Sequence, residues 1–368
     1  MALFQPIAVG PLKLQHRVVL CPLTRMRADA NGTPILPVVK EYYTQRASAP
    51  GTLIISESTF IAAKASGFPH MPGIYSPEQI AAWKEIVDSV HAKGSYIFLQ
   101  LLALGRNASP AILKAIDPSF EILGPSDIPV DPTTTDRPRP MTAAEIDEFV
   151  QLYVQAAKNG MEAGFDGVEI HNANGCLLDQ FLQDISNKRT DEYGGSIENR
   201  SRLTLRVLRA VADVVGEDRV GIRFSPWSPF AGMGMSSPLP TFSHVISEIK
   251  SRFPALAYLH LIEPRISAHE TVDTTAENAS QTNATLRDVW GTERPIICAG
   301  GFTRESAMKL AEERPKNQMV AFGRTFIANP DLPRRLKENI PLHPYDRATF
   351  YLPGETGPTG YTDQPFAP

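Results

Sequence analysis

The chain has 368 residues, 42% of them hydrophobic and 21% charged, which is enough apolar material for a large buried core. Its formal net charge of −4, with no Lys/Arg cluster interleaved with aromatics, argues against nucleic acid as a partner. The longest apolar runs, such as 94–104, are too short to span a bilayer, and the opening MALFQPIAVGPLKL lacks a secretory pattern, so no membrane association and a cytoplasmic location are expected.

In chain order, β-prone runs fall at 17–22, 52–56, 95–101, 167–171, 220–225, 258–262, 295–299 and 318–322. Helical patterns lie between them at 77–93, 143–163, 197–215, 241–252 and 304–313, the second opened by a capping box of Thr142 and Glu145. Strands alternating with helices predict an α/β fold with a parallel sheet, and eight repeats favour a closed (β/α)₈ barrel in a single domain over residues 1–368. Two stretches depart from the repeat. The Pro-rich segment 102–141 is too long for an ordinary connection and reads as a functional excursion over one barrel face. The Pro-rich tail at 341–368 reads as an extended wrap.

Chemistry in such a barrel collects at the C-terminal ends of the strands. The first strand delivers Cys21 to Arg25 there, the second Ser56, Glu57 and Ser58, the third Gln100, and the fourth His171 and Asn174. The fifth carries Arg223, the seventh ends in Gly300 and Gly301, and the eighth in Gly323 and Arg324. His171 with Asn174 makes a two-donor clamp for a carbonyl or phenolate oxygen, and the alternative for a lone His is a core ring bonded to a backbone carbonyl. Arg223 within a strand is costly to bury without an anionic partner, which is either a ligand or a carboxylate such as Glu57 or Glu169. Glycines after strands seven and eight, with the Arg324 fork, suit a phosphate group, although tight strand-to-helix turns use glycine too. No second His or carboxylate stands at ligand spacing around His171, so no metal is expected. Cys21, Cys176 and Cys298 have neither disulfide nor metal spacing and are expected to be reduced.

The run HNANG at 171–175, followed by LLDQFL at 177–182 and NKRTDEYGGSIENR at 187–200, resembles the signature of the old yellow enzyme family. The likeness extends to Pro22-Leu23-Thr24-Arg25-Met26, Pro72-Gly73-Ile74-Tyr75, Gln100-Leu101, Arg223-Phe224-Ser225-Pro226, Gly323-Arg324 and Asn329-Pro330-Asp331-Leu332. The resemblance implies an FMN-dependent ene-reductase that takes hydride from NADPH and acts on small electron-poor alkenes, as a monomer or homodimer. It also implies roles. Thr24 bonds the flavin carbonyl near the reactive nitrogen, Gln100 the pyrimidine edge, and Arg223 stabilises negative charge on the ring. Pro22, Leu23 and Ser58 line the ring, Gly300, Gly301, Gly323 and Arg324 hold the phosphate, His171 and Asn174 bind the substrate oxygen, and Tyr361 closes the substrate side.

Two positions depart from the family pattern. A tyrosine that usually supplies the proton two residues after the clamp is replaced by Cys176, and a tryptophan usual after Gln-Leu is replaced by Leu102. Three roles fit Cys176: a proton donor working through water, a small filler with protonation from solvent, or a reactive thiol in a flavin protein whose turnover is vestigial. A further reading is a reductase or isomerase dedicated to one unsaturated aldehyde or ketone. A flavin-free aldolase or glycosidase would need a Schiff-base lysine or a carboxylate pair at the strand ends, and neither stands out.

Overall fold

The structure, a computed structural model, describes residues 1–267, 270–271 and 280–368. Eight parallel strands close into a barrel: β1 (Val18–Leu20), β2 (Leu53–Ile55), β3 (Tyr96–Leu102), β4 (Gly167–Asn172), β5 (Val220–Phe224), β6 (Tyr258–Ile262), β7 (Ile296–Ala299) and β8 (Gln318–Phe322). Each pairs with its neighbour in sequence, and β8 returns to β1. All eight match the sequence-predicted runs within two residues at each end. Nearly every strand residue is buried on both faces, which is why these strands read as continuous apolar runs rather than alternating ones.

Around the barrel run α1 (Val38–Arg46), α2 (Pro77–His91), α3 (Ala143–Glu162), α4 (Ile197–Val215), α5 (Pro238–Arg252), α6 (Ala284–Trp290), α7 (Arg304–Glu313) and α8 (Leu332–Glu338). The capping box of Thr142 and Glu145 starts α3 as expected, and Ser76 with Gln79 forms a second one at α2. The α1 helix carries no amphipathic signal because Tyr42, Tyr43 and Arg46 are all buried, on more than one of its faces. The α6 helix spans only seven residues, too few for periodicity to stand out.

Below the barrel, an antiparallel hairpin of Ile7–Val9 and Leu12–Leu14 supplies Val9, Leu12 and Leu14 to one apolar cluster with Leu53, Ile55, Phe98, Ile297 and Met319. That cluster closes the N-terminal end. At the opposite end, segment 102–141 folds back with a helix at Pro110–Ile116 and a short parallel ladder between Leu123–Gly124 and Arg139–Pro140. The tail lies against the barrel with little regular structure, so its carbonyls need other donors. Arg25 donates to Phe350 and Gly360, Arg27 to Glu355, Gly357 and Thr359, and Arg335 to Pro341 and Pro365. Among the described residues no helix is long and apolar enough to cross a membrane.

Candidate active site

A cavity of about 1330 Å³ opens at the C-terminal ends of the strands. Its wall includes Pro22, Leu23 and Thr24 after β1, Ser58 after β2, His171, Asn174 and Cys176 from β4 and its loop, and Arg223 on β5. Gly300, Gly301, Gly323 and Arg324 complete it after β7 and β8. Twelve of the fourteen residues named from sequence therefore meet in one place.

Two do not reach it. Gln100 is fully buried beneath the cavity and touches it only through Ser58, whose hydroxyl donates to Gln100 Oε1. Tyr361 is a correction. Its ring is fully buried, stacked on Tyr42 at 4.2 Å and 6°, with the Arg25 and Arg27 guanidiniums each 4.8 Å from its centroid. The tail side of the cavity is formed instead by Tyr345, Phe350 and Tyr351. Sequence reasoning also missed Phe68, Met71, Leu104 and Ile122, since an apolar residue in an irregular segment carries no sign of which surface it faces. The excursion as a whole was legible, and it does cover the mouth, through Leu104, Arg106, Ile122 and Val130 among others.

His171 and Arg223 stand side by side in the register of β4 and β5. Burial, reinforced by the Arg223 charge, pushes the His171 imidazole down to about 3, so the ring is neutral at ordinary pH. Its Nδ1 is buried without a hydrogen-bond partner. An unpartnered lone pair is tolerated more readily than an unpartnered N–H, which places the ring proton on Nε2, the nitrogen left for the cavity. Asn174 has a left-handed backbone (φ 53°) held by its own N–H to Ser225 Oγ at 2.8 Å. Its Oδ1 is also buried and unpartnered, leaving the amide NH₂ as the group available to a ligand. The two side chains thus offer two N–H donors at one strand end.

Arg223 forms no ion pair within 4 Å among the described residues; its Nη2 donates to Cys21 Sγ at 3.3 Å, and its Nε is buried without a partner. The carboxylate counter-ions considered from sequence are engaged elsewhere. Glu57 accepts from the Arg25 backbone at 3.1 Å, and Glu169 binds Gln100 and His260. At the other end of the cavity, Gly300 and Gly301 have φ of +121° and +63°, backbone that glycine adopts without strain. Arg324 lies over the Tyr345 ring at 5.5 Å. An unpaired guanidinium edge at one end, and glycine turns with an arginine at the other, fit a flat electron-rich ring joined to a phosphate, so the residues present suit FMN.

Cys176 packs in an apolar cluster with Phe60, Met71, Leu102, Leu104, Ala108, Leu113 and Ile122. Burial, with Asp179 nearby, drives its thiol well above the usual range, so it holds its proton, the reverse of what a reactive thiolate requires.

The comparisons with known proteins agree with this geometry. The model of the NADH:flavin oxidoreductase / NADH oxidase family matches residues 2–343. The chain is 49% identical to the NADP-dependent oxidoreductase lnbE of Aspergillus flavus, over 99% of this chain and 96% of that one. It is 48% identical to the chanoclavine-I aldehyde reductase fgaOx3 of Penicillium roqueforti, over 99% and 96%. It is 50% identical to "Probable inactive reductase easA" of Epichloe festucae var. lolii, over 99% and 95%. Among solved structures, morphinone reductase superposes with a TM-score of 0.87 at 38% identity, covering 99% of this chain and 96% of that one. Old Yellow Enzyme from Pichia sp. AKU4542 does so with 0.89 at 36%, covering 99% and 93%. With a closed barrel, a cavity at the strand ends and these relatives, the chain belongs to the NADH:flavin oxidoreductase / NADH oxidase family as an FMN oxidoreductase of the old yellow enzyme type.

Proposed function

We propose that the chain is an ene-reductase that moves hydride from NADPH, by way of FMN, to the β-carbon of an α,β-unsaturated aldehyde, ketone or other electron-poor alkene. The observation that carries this reading is the neutral His171 ring beside the Asn174 amide, with Nε2–H and NH₂ left for a cavity that Arg223 also lines. Bound FMN supplies the hydride chemistry. His171 Nε2–H and the Asn174 amide donate to the substrate oxygen and stabilise the enolate charge that grows there. Arg223 would offer positive charge to the electron-rich side of the ring, and Thr24 and Ser58, with the backbone of Pro22 and Leu23, would line it, as all of them line the cavity. Gly300, Gly301, Gly323 and Arg324, at the other end of the cavity, would hold the phosphate. The name of the Aspergillus flavus relative supports NADPH as reductant. A cytoplasmic single-domain protein, monomeric or homodimeric, belongs to the same proposal, and one family model running through residues 2–343 supports the single domain.

Cys176 is much shorter than a tyrosine, so the proton for the α-carbon comes from solvent rather than directly from this side chain. Leu102 and Cys176 share one apolar wall, and neither carries an aromatic ring. That space favours a second, narrower reading, a large dedicated unsaturated aldehyde or ketone, which the aldehyde reductase among the relatives supports.

The test is anaerobic. The purified protein is expected to be yellow, to bleach with NADPH, and to recover its colour on adding cyclohexenone or maleimide. Recovery with a bulky polycyclic enal but with neither small alkene selects the narrower reading. Bleaching followed by no recovery with any alkene faster than with oxygen sinks both.

A further inference from the structure

We infer that Glu169, which does not line the cavity, is a positioning residue: it sets the orientation of the Gln100 amide and, through it, turns the Ser58 hydroxyl into a hydrogen-bond acceptor towards the cavity. The inference rests on the flavin reading above and deepens it.

Gln100 on β3 and Glu169 on β4 stand opposite each other in the register of the two strands. Gln100 Nε2 donates to Glu169 Oε1 at 2.7 Å, and His260 Nδ1 lies 2.8 Å from Glu169 Oε2. All three side chains are fully buried. Burial alone pushes the Glu169 carboxyl up, but His260, Arg223 and Gln100 together hold it below its ordinary value, so it is ionised. An ionised carboxylate only accepts hydrogen bonds. The Gln100 NH₂ must therefore face Glu169, and Gln100 Oε1 must face the other way.

Ser58 Oγ stands within hydrogen-bond distance of that Oε1 and has to donate to it. Ser58 lines the cavity, so the part of its hydroxyl left for a ligand is lone pairs. A matching ligand edge carries an N–H there, as the imide of a flavin pyrimidine ring does. Without the negative charge on Glu169 the amide is free to turn over, Ser58 accepts from its NH₂, and the hydroxyl proton then points at the ligand's own N–H. His260 completes the arrangement. Burial pushes its imidazole down, so it is neutral, and its Nδ1–H can serve Glu169 while Nε2, buried without a partner, keeps only a lone pair.

The test measures FMN binding to apo-protein by quenching of flavin fluorescence. Glu169→Gln is expected to weaken FMN binding about tenfold, the scale of one hydrogen bond replaced by a donor facing a donor. Ser58→Ala weakens it as well, and the double variant is expected to lie within about twofold of Ser58→Ala, because both changes act through one hydroxyl. Losses that multiply independently, or an E169Q protein that binds FMN as well as the wild type, overturn the inference. A wild-type protein that takes up no FMN overturns the flavin reading first and the role of Ser58 with it. Should E169Q fail to fold, ¹⁵N-histidine NMR on the wild type decides: His260 is expected as the neutral Nδ1–H tautomer above about pH 6.5, the ordinary value from which burial pushes it down. An Nε2–H tautomer or an imidazolium in that range overturns the assignment.

Discussion

Two buried histidines mark the two ends of the barrel and show what separates a structural site from a functional one. His16, just before β1 at the closed end, has both ring nitrogens engaged. Its Nδ1 accepts from the Val18 N–H at 3.2 Å, and its Nε2 lies 3.0 Å from Thr52 Oγ1, whose own proton goes to the Ala49 carbonyl. His171, at the open end, has one nitrogen unpartnered and the other left for the cavity. Burial lowers both rings, to about 4 and about 3, so charge does not distinguish them. Hydrogen-bond saturation does. His16 has no ring nitrogen to offer, whereas His171 keeps Nε2–H for a ligand oxygen in the cavity.

Truncating each ring should separate the two roles. For His171→Ala, enone-driven reoxidation of the reduced protein is expected to fall ~10²- to 10³-fold, the scale of losing one donor to a developing oxyanion. Its urea midpoint should fall less than that of His16→Ala, since the ring makes no protein hydrogen bond and already borders a cavity. A stopped-flow trace within about threefold of wild type, too small a loss for an oxyanion donor, removes His171 from the clamp. His16→Ala is expected to do the reverse. Stability should drop by about 2–3 kcal/mol, because the Val18 N–H is orphaned and a void opens at a buried position. Its reoxidation kinetics should match wild type, and a large kinetic defect would break the division between the two ends.

Acid sharpens the same contrast. A histidine takes up a proton near pH 6.5 when unfolded, but His16 in the folded chain does so only near about 4. Its contribution to stability is therefore complete above about pH 6.5 and is lost as the pH falls towards about 4. The stability gap between wild type and His16→Ala should accordingly shrink by about 2 kcal/mol between ~pH 8 and ~pH 5, at ~1.4 kcal/mol per pH unit below the unfolded value. Urea unfolding at the two pH values measures it, and a constant gap means that His16 is not held neutral.

The open end was legible because strand ends in a barrel are read from apolar runs, and those runs placed twelve of the named residues at one mouth. What regular pairing does not govern was harder to read. Tyr361 and Tyr351 lie ten residues apart in the same Pro-rich tail, and nothing in their spacing tells which faces the site. The choice is made by Arg25 and Arg27, which donate to tail carbonyls and pack against the Tyr361 ring, contacts across more than 300 positions of sequence. Glu169 and His260 were hidden for another reason. They lie beneath the wall, and their roles depend on which neighbour each faces across the barrel interior.

Cys176 offers the smallest and most discriminating change at the open end. Tyrosine in its place puts a hydroxyl where the thiol is too short to reach and fills the space beside Leu102, Leu104 and Ile122. If proton delivery to the α-carbon limits turnover, Cys176→Tyr should speed reoxidation by cyclohexenone about tenfold, a modest share of what a positioned general acid contributes. Bleaching by NADPH should keep its rate, since that half-reaction needs no proton at this position. A bulky polycyclic enal should lose rate in the same variant, because the added ring occupies the space the pair of smaller residues leaves open. Opposite responses of the small and large substrates assign the apolar wall to substrate binding. Equal acceleration of both would leave the wall without a part in selection, and no acceleration of either would show that water already meets the demand for a proton.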